Sequence, residues 1–336
     1  EAVIPLIDMA TVATEPFPAY DLKNIQEYYV HHGYKADQAM RQALAAVKTE
    51  RDKSVVTGVI RQIYKPWVEQ LTQKFQEVAA QDATPFRGKP APGDDQEFIL
   101  FVDALRYELG MEFLDRLANA GYKVSISAEW SALPSLTPTA KPAVSPLSYI
   151  VSESSACHEF RPQLLSGKDL QTAAFRSALA ERDFVFISSA ADIQPGRRHW
   201  QEIGDIDAKG HAEQAGMVRR MDELFEQLLE TISSAFEQGI KQIQIVTDHG
   251  WLLLPGGLPK EELNKSLTET RWGRCALIKE GAKTDLLHLP WRWNPAIYIA
   301  YAPGISFFKR NEEYAHGGIS VQECLTPLLH IYNPQG

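Results

Sequence analysis

The sequence predicts an α/β fold: a central, mostly parallel sheet with helices on both faces, preceded by a helical N-terminal segment. Three observations carry this. Short, largely apolar runs such as FILFV (98–102) and IQIV (243–246, with one Gln) have the length and composition of buried strands. Between them lie stretches whose apolar residues recur every three or four positions. The two patterns alternate, and such alternation implies parallel strands covered by helices on both faces.

Residues 21–82 show helical spacing alone, in KNIQEYYVHHGY, ADQAMRQALAAVKTE and VVTGVIRQIYKPWVEQLTQKFQEVAAQ. Pro66 should start or bend the last of these, because it lacks the N–H that a helix interior needs. The stretch TPFRGKPAPGDDQ (84–96) is rich in Pro, Gly and charge and reads as a linker. The expected division is therefore a helical segment 1–83, a linker 84–96 and an α/β domain 97–336.

Within that domain, residues 98–130 read as strand, helix and strand, with Gly121 where a helix C-cap is expected. DLQTAAFRSALAERDFVFIS and GMVRRMDELFEQLLETISSAFEQGIKQIQIVTD repeat the helix-then-strand order. From 251 to 305 shorter strands, RCALIKE and AIYIAYAPG, stand among Pro- and Trp-rich loops and suggest a β excursion. PGRRHWQE (195–202) reads as an exposed basic loop, in which Arg197, Arg198 and His199 are more simply solvated than engaged with a nucleic-acid phosphate.

Composition narrows the function classes. Of 336 residues, 44% are hydrophobic and 23% charged, values that allow a substantial core. A net charge of −9 argues against non-specific nucleic-acid binding through phosphate contacts, while leaving room for a local basic groove. Cys157, Cys275 and Cys324 lie far apart with no CxxC pair, so neither a zinc ribbon nor a disulfide framework is expected. Cysteine usage of that kind suits a reducing compartment, and no apolar stretch is long enough to span a bilayer; a cytoplasmic protein without membrane partners is the expectation. An opening Glu1 rather than Met suggests a segment of a longer protein.

Chemistry-bearing residues gather at the expected strand ends. Asp103 follows FILFV, and Asp248–His249 follow IQIV. Asp103 could simply cap the next helix, and the Asp–His pair could be a capped turn with a solvated imidazole. If both strands run the same way, however, both carboxylates reach one rim, where sites in α/β proteins form. In IGDIDAKGHAEQ, Asp207 and His211 are four apart and would share a helical face, able to grip one ion; Gly210 weakens the helix, and Asp205 competes as ligand. His316 sits in the Gly-rich YAHGGIS loop, and ALPSLTPTAKP presents Ser135, Thr137 and Thr139 between prolines. A rigidly held hydroxyl beside a metal is a candidate nucleophile.

An Asp at the first strand end, a Ser/Thr about thirty residues on, D-x-x-G-H, D-H-G and a final H-G, in this order, resemble the alkaline phosphatase superfamily. More narrowly, VDALRYELG, LPSLT, TDHGW and HGGISVQECLTPLL resemble the PglZ proteins of bacterial BREX phage-defence systems, over residues 97–333. The resemblance implies an alkaline-phosphatase-like sheet and a two-metal phosphohydrolase. It implies that Asp103, Asp248 and His249 bind one divalent ion together with the Thr137 hydroxyl, and that Asp207, His211 and His316 bind the other. Zinc suits such mixed N/O donors, with manganese as a substitute. By the family's Pro-x-x-Thr spacing, Pro134 marks Thr137 as nucleophile, with Ser135 as fallback. The same resemblance implies a phosphate ester substrate, a diester before a monoester, with a nucleic acid or nucleotide in view and other BREX proteins as partners.

The chain departs from the broader family in one respect: no arginine near Thr137 is an obvious phosphate clamp. Arg106 is expected in a salt bridge with Glu108 or Glu112 instead. A rival reading is a non-catalytic interaction component with a vestigial site; phosphomonoesterase activity is another. The all-helical His-Asp phosphohydrolases are excluded, since Asp248 precedes His249 after a β-rich run.

Overall fold

In the computed structural model all residues are described except 19, 92–97, 265, 309–311 and 334–336. The chain begins with helices α1 (Val3–Ala13) and α2 (Leu22–Tyr28), a π-helical turn (Tyr29–Gly33), α3 (Tyr34–Ala45) and α4 (Glu50–Ala79). The Thr49 hydroxyl caps α4 by accepting from the Asp52 N–H at 3.1 Å. Val56, Ile60, Tyr64, Val68, Leu71 and Phe75 form its buried stripe at three- and four-residue spacing. Pro66 neither starts nor ends this helix. The lost backbone hydrogen bond is outweighed by its neighbours Tyr64, Trp67 and Val68, which are all buried.

The next part runs β1 (Phe98–Val102), α5 (Tyr107–Asn119), β2 (Lys123–Trp130), α6 (Thr137–Val144), α7 (Thr172–Ala180), β3 (Phe184–Ile187), β4 (Arg198–Ile203), α8 (Ile206–Glu213), α9 (Met221–Glu237) and β5 (Gln242–Val246). It continues through β6 (Leu252–Leu253), β7 (Thr268–Arg271), β8 (Cys275–Ile278), β9 (His288–Trp291), β10 (Asn294–Tyr301), β11 (Tyr314–Ala315), α10 (Val321–Cys324) and β12 (Leu325–Tyr332). Six strands form the main sheet in the order β2-β12-β5-β1-β4-β3. Only β12 runs against the rest, pairing antiparallel with both β2 and β5.

Helices cover both faces of this sheet. Phe101 of β1 stacks on Trp200 of β4, with α6 and α7 above them through Lys141 and Phe175. Val102 points to the opposite face, where Leu224 of α9 lies, and Phe113 of α5 stacks on Phe225 of α9. Gly121, with φ 88°, follows α5 in the left-handed conformation that ends a helix.

One sequence expectation is corrected. The supposed basic loop at 195–202 is largely β4, a central strand with His199 and Trp200 fully buried. His199 can be buried because its Nε2 accepts from the Gln194 N–H at 2.9 Å, while the exposed Arg197 precedes the strand. In the expected linker, residues 84–91 lie against the domain: Phe86 and Ala91 are buried, and the Ala91 N–H donates to the Val144 carbonyl at 2.9 Å. Residues 92–96 of that stretch fall outside the described residues.

The β excursion is a four-stranded antiparallel sheet, β7-β8-β10-β9, with β6 and β11 pairing separately. Arg274 ties it to the segment after His316. This guanidinium is fully buried, pairs with Glu323 at 2.9 Å and donates to the Gly304 carbonyl at 3.0 Å. Glu323 in turn accepts from the Gly318 N–H at 2.8 Å. Among the described residues, no helix is long and apolar enough to cross a membrane.

Candidate active site

Because β1 and β5 are adjacent and parallel, the loops that leave them are neighbours. Asp103 does not cap α5, which starts only at Tyr107. Instead residues 103–106 make a tight loop held by the other strand: the Ala104 N–H donates to Asp248 Oδ1 at 3.2 Å, and the Leu105 N–H donates to Thr247 Oγ1 at 2.9 Å. Asp248 Oδ1 also accepts from the His249 N–H at 3.0 Å. Its Oδ2 is buried with no hydrogen-bond donor among the described residues, and lies 3.6 Å from His249 Nε2.

His249 Nδ1 lies 2.9 Å from the Gly250 carbonyl, which can only accept. The proton therefore sits on Nδ1, and the Nε2 lone pair faces the cluster. There it lies 3.1 Å from Thr137 Oγ1, which in turn is 3.4 Å from Asp103 Oδ1. Thr137 is the first residue of α6, so an α-helix end fixes its position.

The second group adjoins the first. Asp207 and His211 share a face of α8, and His316 comes from the loop after β11. Asp207 Oδ1 is 3.1 Å from His316 Nε2 and 3.6 Å from His211 Nε2; the two Nε2 atoms are 3.2 Å apart. His316 Nδ1 faces the Ser135 carbonyl at 3.2 Å, which directs its Nε2 inward by the same logic as in His249. The His249 and His316 rings stack with centroids 4.3 Å apart and planes 5° from parallel, so the two groups share a wall. In each triad, Asp103–Asp248–His249 and Asp207–His211–His316, one donor atom per residue lies within 4.8 Å of the others.

Electrostatics suit a cation. Burial, then the charge of Asp248, raises Asp103 to about 7; burial raises Asp248 to about 6. Burial acts on Asp207 as well, but His316, His249 and His211 outweigh it and hold its carboxyl below the usual value. Burial, then the neighbouring His249, lowers His316 and favours the neutral imidazole that a metal requires. A buried carboxylate oxygen without a donor, beside inward-facing imidazole lone pairs, fits a divalent ion.

Other candidates separate clearly. Ser135 Oγ donates to the Gly318 carbonyl at 2.9 Å, and Thr139 Oγ1 donates to the Phe160 carbonyl at 2.8 Å, so both hydroxyls hold backbone. Asp205, just before α8, faces Lys209 at 3.0 Å and belongs to neither triad. Gly210 does not prevent the helix. It leaves room for the Tyr314 ring, which a Cβ at that position would strike. Arg106 pairs with neither Glu108 nor Glu112; Arg41 takes both, and Arg106 turns to Asp37. His31 and His32 are exposed and join neither triad.

Two contributors were not anticipated. The Tyr314 hydroxyl donates to Asp207 Oδ1 at 2.9 Å, and its place two residues before His316 was the available signal. Lys141, one helical turn after Thr137, pairs with Glu202 at 2.6 Å and lies 4.6 Å from the Phe101 ring centroid. The i,i+4 spacing from Thr137 could have marked it.

No protein-family model and no curated protein matches this chain. Among solved structures, murine ectonucleotide pyrophosphatase/phosphodiesterase 5 is similar at 11% identity and a TM-score of 0.43, over 70% of this chain and 88% of that one. An inactive variant of the same murine protein in complex with AMP is similar at 11% identity and 0.42, over 71% and 88%. Likeness at this level does not decide chemistry, which has to be read from this chain's own side chains.

Proposed function

We propose that the chain is a metal-dependent phosphoric ester hydrolase that uses Thr137 as nucleophile. The supporting observation is the placement of one hydroxyl, Thr137 Oγ1, 3.1 Å from His249 Nε2 and 3.4 Å from Asp103 Oδ1, beside a second His/Asp triad. Asp103, Asp248 and His249 would hold one divalent ion, and Asp207, His211 and His316 another, with zinc or manganese suited to these donors. Such ions, when bound, neutralise phosphoryl oxygens and acidify a hydroxyl.

Thr137 Oγ attacks phosphorus as its proton passes to water, and the bond to the leaving oxygen breaks, the leaving group departing with a proton from solvent. The resulting threonine phosphoester is then hydrolysed by water, which restores the hydroxyl. Tyr314 orients Asp207 throughout.

Preference for a diester, a nucleic-acid or nucleotide substrate, other BREX proteins as partners, and a cytoplasmic role in anti-phage defence all rest on the motif resemblance. The test is turnover of bis-p-nitrophenyl phosphate against p-nitrophenyl phosphate, with zinc or manganese added and metal content measured. Faster turnover of the bis-ester supports the diesterase. Metal binding without turnover of either ester would leave a binding component of a larger assembly.

A further inference from the structure

The residues of the two triads do not stand in an isolated pit. Thr137, Asp207 and His316 line a cleft of about 560 Å³ that is also lined by Arg161, Arg176 and Trp272. That volume lies within the range of small-molecule sites, and it greatly exceeds what a bare phosphate fills. Leu170, Phe175 and Pro138 add apolar surface, and the Trp272 ring stands 6.1 Å from that of His316.

Charge in the cleft is unevenly spread. Lys141 is already paired with Glu202 at 2.6 Å, and Asp207 faces imidazoles. Arg161 and Arg176 have no carboxylate partner among the described residues; Arg176 rests its guanidinium 4.0 Å from the Phe186 ring centroid. Two guanidiniums without a carboxylate partner, an aromatic wall and a candidate nucleophile thus share one cavity. Guanidinium groups in such a setting favour phosphate, which they can grip through two parallel hydrogen bonds.

We propose that this cleft seats one substituent of the ester and that Arg161 and Arg176 bind a second phosphate carried by it. The preferred substrate is then a diester with a further phosphate on its organic group, as in a nucleotide chain. The proposal rests on the hydrolase reading for the location of the scissile phosphorus, but its test does not need turnover.

The metal-loaded full chain is titrated by calorimetry with thymidine 3′,5′-bisphosphate and with thymidine 5′-monophosphate. The expected result is binding of the bisphosphate about tenfold tighter or more, as one charge-assisted bidentate contact provides. In the double variant Arg161→Gln/Arg176→Gln, that ratio should fall toward one. Each single variant, which changes one partly or fully exposed residue, should give an intermediate ratio. Equal affinity for the two ligands in the wild-type chain overturns the proposal. So does a double variant that weakens both ligands equally, since the arginines would then clamp a phosphate common to both. Turnover of bis-p-nitrophenyl phosphate without a bisphosphate preference sinks this inference alone. A bisphosphate preference without turnover leaves it standing and removes the hydrolase.

Discussion

Arg106 and Asp37 form a fully buried ion pair, with Nη2 2.6 Å from Oδ1, that joins the loop after β1 to α3 of the N-terminal helices. Tyr29 donates to Asp37 Oδ2 at 2.8 Å, Tyr64 also donates to this carboxylate, and Gln322 Nε2 reaches it at 3.1 Å. On its other side Arg106 lies 4.3 Å from the Trp251 ring centroid, and Trp251 Nε1 donates to the Ala104 carbonyl at 3.0 Å. The helices thereby brace the loop that carries Asp103, although they contribute no residue to either triad.

Replacing Asp37 should therefore damage the fold more than any surface change. Asp37→Asn leaves the Arg106 charge buried without its partner, which costs about 3–5 kcal/mol. Urea denaturation of the variant should show a midpoint lowered by that free energy divided by the slope, with the slope itself unchanged. A loss below about 1 kcal/mol, the range of exposed pairs, would mean the pair is dispensable.

The raised carboxyls make a prediction about pH. Asp248 at about 6 and Asp103 at about 7 bind protons more readily in the folded chain than at their ordinary value of 3.8. Their stabilising contribution is fully present below about 4 and is lost as pH rises through 6 to 7. Fully buried Asp248 should dominate, since the Asp103 side chain is 31% exposed and solvent screens it. Metal-free protein should lose stability between pH 4 and 7, and zinc or manganese should restore it above pH 7. A flat metal-free profile over that window, measured by denaturant midpoint, contradicts the assignment.

Tyr314 should control one triad and leave the other. Tyr314→Phe removes the hydrogen bond to Asp207, and loss of such a supporting partner weakens metal affinity about 10- to 100-fold. Gly210→Ala should act similarly, by driving a methyl group into the Tyr314 ring. Metal titration should then resolve one weakened site and one unchanged site. Equal weakening of both would show that the triads behave as a single cluster.

How much of this was legible in the sequence depended on how local each feature was. Asp103 and Asp248 announced themselves because each stands within two residues of the end of an apolar run, and parallel pairing of β1 with β5 did the rest. β4 was hidden because Arg197, Arg198 and His199 look solvated, and the pairing of His199 with the Gln194 backbone helps make its burial tolerable. Arg106 was matched to Glu108 and Glu112 by proximity along one helix. Its true partner is 69 positions earlier, on α3, and no local pattern encodes that. The second triad was partly visible in the spacing of Asp207 and His211. The supporting hydroxyl of Tyr314 depends on how β11 lies against α8, which spacing alone does not reveal.

The choice between Thr137 and Ser135 is where structure adds most. Both hydroxyls follow the same proline, and an extended chain would have turned them the same way. Instead α6 begins at Thr137, placing Oγ1 among His249 and Asp103, while Ser135 Oγ is buried and committed to the Gly318 carbonyl at 2.9 Å. Thr137→Ala should therefore keep its fold and metal content and lose phosphate ester turnover by roughly 10³-fold or more, as expected when a covalent nucleophile is removed. Ser135→Ala should show the opposite profile. It leaves the Gly318 carbonyl with only the weak Cys324 thiol donor at 3.5 Å, which lowers stability by about 1 kcal/mol while turnover persists at temperatures where the variant is folded. Steady-state rates and thermal melts on both variants separate the two roles. A folded but inactive Ser135→Ala beside an active Thr137→Ala would transfer the nucleophile to Ser135. Activity in both would replace the threonine phosphoester with direct attack by water.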